Sequence, residues 1–335
     1  MRSVLLDMLR LIAIALVFIA HFGQLFEHEI GAFFGIKNVY YVSLGGVGVT
    51  LFLILSGLLA GLTDAKRFIE PKDQTVSFSS KKYYQYVIKK LLRIYPVYWV
   101  SVILSIIGYG LSGVVLKERL LPLFPNGVLT DLFGSTTGFY AWFGLWGGPF
   151  NPPSWFIALI IPLYLLFPLL QYLLWRWKWV ALLTLLCVSI VSRIWVGQHG
   201  VVLLGTSLFN DIEAWVYRLY GFMPGRPGDW FVLCRVFEFS LGIFLAYRVP
   251  KAVWFKLQLG RLNQPIARLS DLAFPLFLLH VPFLFFPEWL SLQGLQPWLA
   301  IVVFMMLLLP LAWGVSCLDA VFPRRTVTRW LSGEV

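Results

Sequence analysis

Long runs of apolar positions alternate along this chain with shorter polar stretches rich in lysine and arginine. Eight runs are long enough to cross a bilayer, roughly residues 4–26, 42–62, 85–110, 153–174, 179–196, 229–247, 269–289 and 298–320. Because backbone groups in lipid must pair internally, the pattern predicts helices. The fold class is an all-α, polytopic membrane helix bundle of about eight, and up to ten, transmembrane helices. Further crossings have room only in two long stretches, residues 111–152 and 197–228. No internal repeat or linker divides the sequence, so residues 1–335 read as a single membrane-embedded domain.

The first run breaks its own apolar pattern with Asp7, Arg10 and His21. Ionisable groups in a membrane helix are expensive and mark function by default. Eleven residues at about 100° each return to within roughly 20° of one helix face, and they span roughly 16 Å. One face of the first helix therefore carries a cation near one membrane surface and an imidazole near the other. Asp7, three residues before Arg10, is placed to pair with it. These charges also distinguish the run from a cleavable leader, whose apolar core is uncharged.

Composition agrees with the pattern: 59% of the residues are apolar and 13% charged, with a mean hydropathy of +0.79. The net charge of +11 could suggest nucleic acid, but its distribution points elsewhere. With the N-terminus inside, cations crowd alternate loops, from Lys66 to Arg93, at Arg176 and Lys178, from Arg248 to Arg268, and from Arg324 to Arg329. The outer loops keep few, among them Lys37, Lys117, Arg119, Arg218 and Arg226. That asymmetry predicts both termini in the cytoplasm, with membrane lipids as the partner of the basic surface and no nucleic acid. Cys187, Cys234 and Cys317 lie apart inside apolar runs and read as packing residues. No metal site is expected.

Other polar residues carry two readings each. Arg235 and Glu238 form an i,i+3 pair within one run, either structural or turned towards an acceptor or a developing oxyanion. His280 falls at a depth close to that of His21. It either shares the His21 cavity or is a buried histidine held by a backbone carbonyl. The aromatic outer stretches, GFYAWFGLWGGPFNPPSW from Gly138 and NDIEAWVYRLYGF from Asn210, read as an interfacial belt or as a sugar-stacking platform beside Asp211 and Glu213. His28 and His199 fall in outer loops without a chemical role.

Six pieces, in order, resemble the acyltransferase 3 family of integral membrane acyltransferases. Arg10 and His21 in LDMLRLIAIALVFIAHF match its basic residue, ten residues, histidine marker. GGVGVTLFLILSGLLA, with Gly48, Phe52, Ser56 and Gly57, resembles its second helix, and KKLLRIYPVYW, with Arg93, Tyr95, Pro96 and Trp99, its third. SWFIALIIPLYLLFPLL, with Trp155, then RVFEFSLGIFLA and AFPLFLLHVPF follow. The departures are Lys90 where arginine is usual, no glutamate shortly after Trp155, and Ala273, Phe274 and Phe277 where hydroxyls are usual. The segment between Ala246 and Ala273 is too short for the helix pair many members carry, and no hydrolase-like domain follows.

The resemblance implies transfer of an acyl group, most often acetyl, from cytoplasmic acyl-CoA to a hydroxyl or amine of an extracytoplasmic or lipid-linked glycan. The setting would be the cytoplasmic membrane of a bacterium, with polysaccharide-biosynthesis proteins as possible partners. Acetyl-CoA is then a co-substrate, and no tightly bound cofactor is expected. Arg10, Lys89, Lys90 and Arg93 would form a basic mouth for the CoA phosphates. The pantetheine arm would run between the first two helices past Gly45, Gly46, Gly48, Ser56 and Gly57. His21 would act as general base or carry the acyl group. His280, Arg235, Glu238 and Trp155 would face the acceptor or stand behind it. Two other classes fit many of the same features: a glycan or lipid-intermediate exporter, and a non-catalytic scaffold of a polysaccharide-synthesis complex.

Overall fold

The computed structural model describes residues 2–26, 38–68, 79–116, 124, 127–143, 148, 150–199, 230–324 and 326–327. Outside them lie the stretch from Asn210, His28, Lys37, Lys72, Lys117, Arg119, Asp211, Glu213, Arg218, Arg226, Arg325 and Arg329, and the His199 side chain. The described residues form eleven α-helices: α1 (Val4–Leu25), α2 (Asn38–Asp64), α3 (Ser80–Val115), α4 (Val128–Thr137), α5 (Trp155–His199), α6 (Val232–Arg248), α7 (Lys251–Phe255), α8 (Asn263–Asp271), α9 (Ala273–Leu279), α10 (Phe285–Leu292) and α11 (Pro297–Val321). No strand occurs among the described residues. Exposed apolar side chains such as Val114, Trp179, Val191, Met306 and Trp313 line the outside of the bundle, as lipid-facing positions do.

All eight expected runs are helical, but their lengths differ from expectation. Five helices among the described residues are long and apolar enough to cross a membrane, or six when a bent pair counts as one. Three differences account for this, the first being that α6 has only 17 residues, at the lower limit for a span. The runs at 153–174 and 179–196 are joined in α5, which is broken at Lys178, where φ is +49°. A straight helix of its 45 residues would be roughly twice as long as a bilayer core is thick. The run at 269–289 is not one straight helix: Gly260–Leu279 and Val281–Leu292 meet at 64°. Pro282, which disfavours helix in the residue before it, sits directly after the break.

Close backbone contact positions α2. It lies between α1 and α6, and α6 packs in turn on α5. A Cβ on Gly48 would stand 2.6 Å from the Ala13 carbonyl oxygen of α1. One on Gly57 would overlap the Phe239 carbonyl of α6, and one on Gly242 the Ile54 carbonyl of α2. Small residues thus let these helices approach at backbone distance. This corrects the expected pantetheine route: at Gly48 the seam between α1 and α2 is closed, and Gly57 faces α6. Gly46 alone of the expected set has open space beside it.

The stretch 111–152 is more than an outer connection. Its helix α4 ends against the middle of α3, where Tyr95, Tyr98 and Trp99 donate to the carbonyls of Thr137 (2.8 Å), Ser135 (2.6 Å) and Thr136 (2.8 Å). The last carbonyls of a helix lack intrahelical partners, so these three side chains complete α4. Tyr140 and Phe150 are buried, and the Trp142 indole donates to the Ala158 carbonyl. Tyr140, Trp142 and Phe150 therefore pack into the protein and form no open sugar platform, while Phe133 is exposed. Cys234 is buried as expected, whereas Cys187 and Cys317 lie on the exposed surface.

At one end of the bundle Arg324, beyond α11, donates to the Leu92 carbonyl of α3 (3.0 Å). The neighbouring Arg93 is close enough to Arg10 to repel it. The start of α1 and the end of α11 therefore share that end.

The glycine contacts give a paired test. Gly242→Ala should lower the detergent-solubilised melting temperature, with an overpacking cost of about 1–3 kcal/mol. Gly46→Ala should leave it unchanged or slightly raised, because alanine is the better helix former. Equal effects in thermal unfolding would contradict the packing described.

Candidate active site

The face of α1 that carries Arg10 and His21 is anchored at its first turn. Ser3 caps α1 by accepting from the Leu6 amide and donates to the Trp254 carbonyl. Asp7, only 2% exposed, accepts from Arg2 (2.6 and 3.2 Å), Arg10 (2.9 Å) and Ser270 (2.9 Å). Arg2 also pairs with Asp271 (2.8 Å) and donates to the Ala267 carbonyl (2.7 Å). Hydrogen bonds to Asp271 and then Asp7 raise the Arg2 guanidinium above its ordinary pKa. The expected Asp7–Arg10 pair is present, and the tie to α8 is additional.

The basic mouth is divided. Arg93, exposed, faces Arg10. Lys89 and Lys90 turn instead to Asp64, at the end of α2, together with Arg67. The distances to its carboxylate are 2.9 Å from Lys90, 3.1 Å from Arg67 and 3.9 Å from Lys89. The Lys90 ammonium is buried and also lies 4.7 Å from the Tyr164 ring centre and 5.2 Å from that of Tyr86. Lys90 is thus a paired, aromatic-boxed cation and not an open phosphate donor. Asp64 fell at the edge of a polar loop in the sequence; the basic residues Lys66 and Arg67 beside it were the available signal.

Further along the same face of α1, His21 meets His280, their ring centres 4.9 Å apart. Gln24 hydrogen-bonds the His21 ring. His280 is buried at the break between α9 and the following turn, against Phe18 and Phe277. Its Nδ1 lies 2.7 Å from the Phe277 carbonyl oxygen. A carbonyl can only accept, so Nδ1 carries the proton and Nε2 offers its lone pair. That Nε2 is buried and has no hydrogen-bond partner. Both readings of His280 therefore hold together: a backbone carbonyl fixes it, and it shares its surroundings with His21.

Arg235 and Glu238 pair at 3.3 Å, and Arg235 also reaches the Thr50 hydroxyl at 3.2 Å. Arg193 of α5, absent from the expected site, pairs with Glu238 as well and donates to the Cys234 carbonyl at 2.8 Å. Trp155 opens α5, half-buried and edge-on to Phe156, which in turn meets Phe277. Ser56 is half-buried on α2.

A family model described as an acyltransferase domain matches residues 4–259. The match includes Arg10, His21, Asp64, Lys90, Trp155, Arg193, Arg235 and Glu238 and ends before His280. No curated protein and no solved structure matches the chain.

The charges around Glu238 yield a stability test. Glu238→Gln strands two arginines, one of them buried, and should cost about 3–5 kcal/mol, read as lost folded yield and a lower melting temperature. Arg193, 44% exposed, should be replaceable by alanine for about 1 kcal/mol or less.

Proposed function

The chain belongs to the acyltransferase 3 family of membrane acyltransferases, and from that premise we propose that it moves an acyl group, acetyl first, from acyl-CoA to a carbohydrate. The acceptor is a hydroxyl or amine of an extracytoplasmic or lipid-linked glycan, and the setting is the cytoplasmic membrane of a bacterium. The protein crosses that membrane eight times, with α5 turning at Lys178 and the bent pair crossing once. The end that holds Arg10, Arg93 and Arg324 faces the cytoplasm, because cations concentrate on that side.

The observation that carries the proposal is the α1 face, where Arg10 stands roughly 16 Å along the axis from the His21–His280 pair. That spacing suits an extended pantetheine arm with its phosphates at one end and its thioester at the other. Arg10, Arg93 and Lys89 bind the phosphates, while Asp64 fixes Lys90 and Arg67 beside them as a background of positive charge. The arm follows the α1 face that carries Arg10 and His21, since the α1–α2 seam is closed at Gly48.

At the thioester, His21 accepts the proton of the acceptor hydroxyl as its oxygen attacks the carbonyl carbon. The C–S bond then breaks, and the imidazolium returns the proton to the leaving CoA thiolate. His280, with its tautomer fixed and Nε2 open, orients the acceptor or His21. Phe18 and Phe277 keep this end apolar. Trp155 and the Arg235–Arg193–Glu238 cluster stand behind the acceptor side.

Acetyl-CoA and free CoA should raise the melting temperature of the purified protein, by about 2.7 kcal/mol of added stability at a hundredfold excess over Kd. ATP should do less, and Arg10→Ala should abolish the shift. His21→Ala should keep the shift but lose about 10²–10⁴-fold in CoA release coupled to transfer. Folded protein that shifts with no CoA species would remove the donor assignment and favour an exporter or scaffold.

A further inference from the structure

We propose that Asn151 is a positioning residue for His280, holding open the helix break on which that histidine sits. The inference rests on the acyl-transfer reading of the His21–His280 pair. In an unbroken helix the Leu278 carbonyl would accept from the amide four residues on, but that residue is Pro282, which has none. The Asn151 Nδ2 takes the vacant place at 3.1 Å from the Leu278 oxygen. Its second hydrogen goes to the Ser105 hydroxyl of α3 at 2.9 Å, and Ser105 in turn donates to the Ser101 carbonyl at 2.7 Å.

Each bond in this bracket has a forced direction. A carbonyl cannot donate, so the amide nitrogen must face Leu278; Ser105 has spent its only hydrogen on Ser101, so it must accept from Asn151. Asn151 is 2% exposed, and its Oδ1 is buried with no hydrogen-bond partner. The fold therefore leaves that acceptor unserved while using both amide hydrogens, although an unpaired buried polar atom is costly. The Leu278 carbonyl lies one peptide beyond Phe277, whose own carbonyl fixes the His280 tautomer. Three elements thus converge on one turn: α3 through Ser105, the approach to α5 through Asn151, and the broken helix through Leu278. Asn151 touches no reacting atom and acts through His280.

The test uses full-length protein in lipid nanodiscs, with acetyl-CoA as the acyl donor and a mixture of soluble oligosaccharides supplying the acceptor hydroxyls. Release of free CoA thiol gives kcat and KM, and mass spectrometry follows the rate at which diethyl pyrocarbonate modifies His280. Asn151→Ala and the near-isosteric Asn151→Asp, which as a carboxylate has no hydrogen to donate, should each lower kcat by about 10²-fold with KM for acetyl-CoA unchanged, the Asp variant being read at a pH high enough to ionise it. Both should raise the modification rate of His280. Asn151→Ser, which keeps one donor, should recover part of the loss. In a Pro282→Ala background, where a backbone amide is restored, Asn151→Ala should cost about tenfold or less.

Variants are compared only at matched folded fraction, judged by thermal unfolding. Full activity in Asn151→Asp, or an equal loss from Asn151→Ala in both backgrounds, would overturn the role. A wild-type protein that neither releases thiol nor is stabilised by acetyl-CoA would defeat the acyl-transfer reading instead. In that event the His280 modification rate still decides the bracket: an unchanged rate in Asn151→Asp would overturn it.

Discussion

Inside a bilayer, water cannot solvate stray charges or stray backbone groups, and this single constraint explains where the polar residues of the structure stand. Three buried carboxylates organise the cations. Asp7 holds Arg2 and Arg10; Asp64 holds Lys90, Arg67 and, at longer range, Lys89; Glu238 holds Arg193 and Arg235. The clusters at Asp64 and Glu238 keep more positive than negative charge, whereas Asp271 balances the one at Asp7. A carboxylate that fixes two or three cations costs less to bury than separate ions would, yet leaves a net field for an anionic group. The clusters at Asp7 and Asp64 lie at the phosphate end of the proposed substrate path, and the one at Glu238 stands apart on α5 and α6.

The same constraint governs the backbone. At three places where the helices stop or bend, a side chain from elsewhere supplies a missing partner. Tyr95, Tyr98 and Trp99 complete the end of α4, Asn151 completes the break at Pro282, and Gln171 donates to the Ala65 carbonyl at 2.8 Å where α2 ends. Such breaks are tolerated at membrane depth because protein surrounds them. One of them carries His280. An unbroken helix from residue 269 to 289 would tie up the Phe277 carbonyl in its own ladder, and Pro282 would still leave the Leu278 carbonyl without an amide partner. The Phe277 carbonyl would then be unavailable to orient a histidine.

The sequence made α1 legible because its signals are local. Arg10, His21 and Asp7 lie on one uninterrupted helix, so a constant angle per residue relates them, and the pairing of Arg235 with Glu238 follows the same logic. The tyrosines and tryptophan of KKLLRIYPVYW could be matched to a pattern but not to a purpose, because the carbonyls they serve are about forty residues away. Asp64, Arg193 and Asn151 were missed for a related reason. Asp64 sits at the boundary of an apolar run and looks like a loop residue. Arg193 and Asn151 meet their partners more than forty residues away in sequence. Glycine spacing was legible as close approach but not as to what approaches: Gly48 and Gly57 serve two different neighbouring helices. Pro282 is the local sign of the bend, inside an apolar run that otherwise reads as continuous.

The departures from the family pattern acquire a physical meaning once His280 is placed. Ala273, Phe274 and Phe277 stand where hydroxyls are usual, so those side chains cannot hold the imidazole by a hydrogen bond. Here the Phe277 residue supplies a ring on one side of its backbone and a carbonyl on the other, and the carbonyl sets the tautomer. The helix break exposes that carbonyl, and Asn151 stabilises the break. The departures also change the medium: phenylalanine rings from Phe18 and Phe277 face His280 where phenols could have brought water-binding oxygens. If the donor is the thioester proposed above, an apolar wall beside the histidine pair would favour an acceptor hydroxyl over a stray water in reaching it.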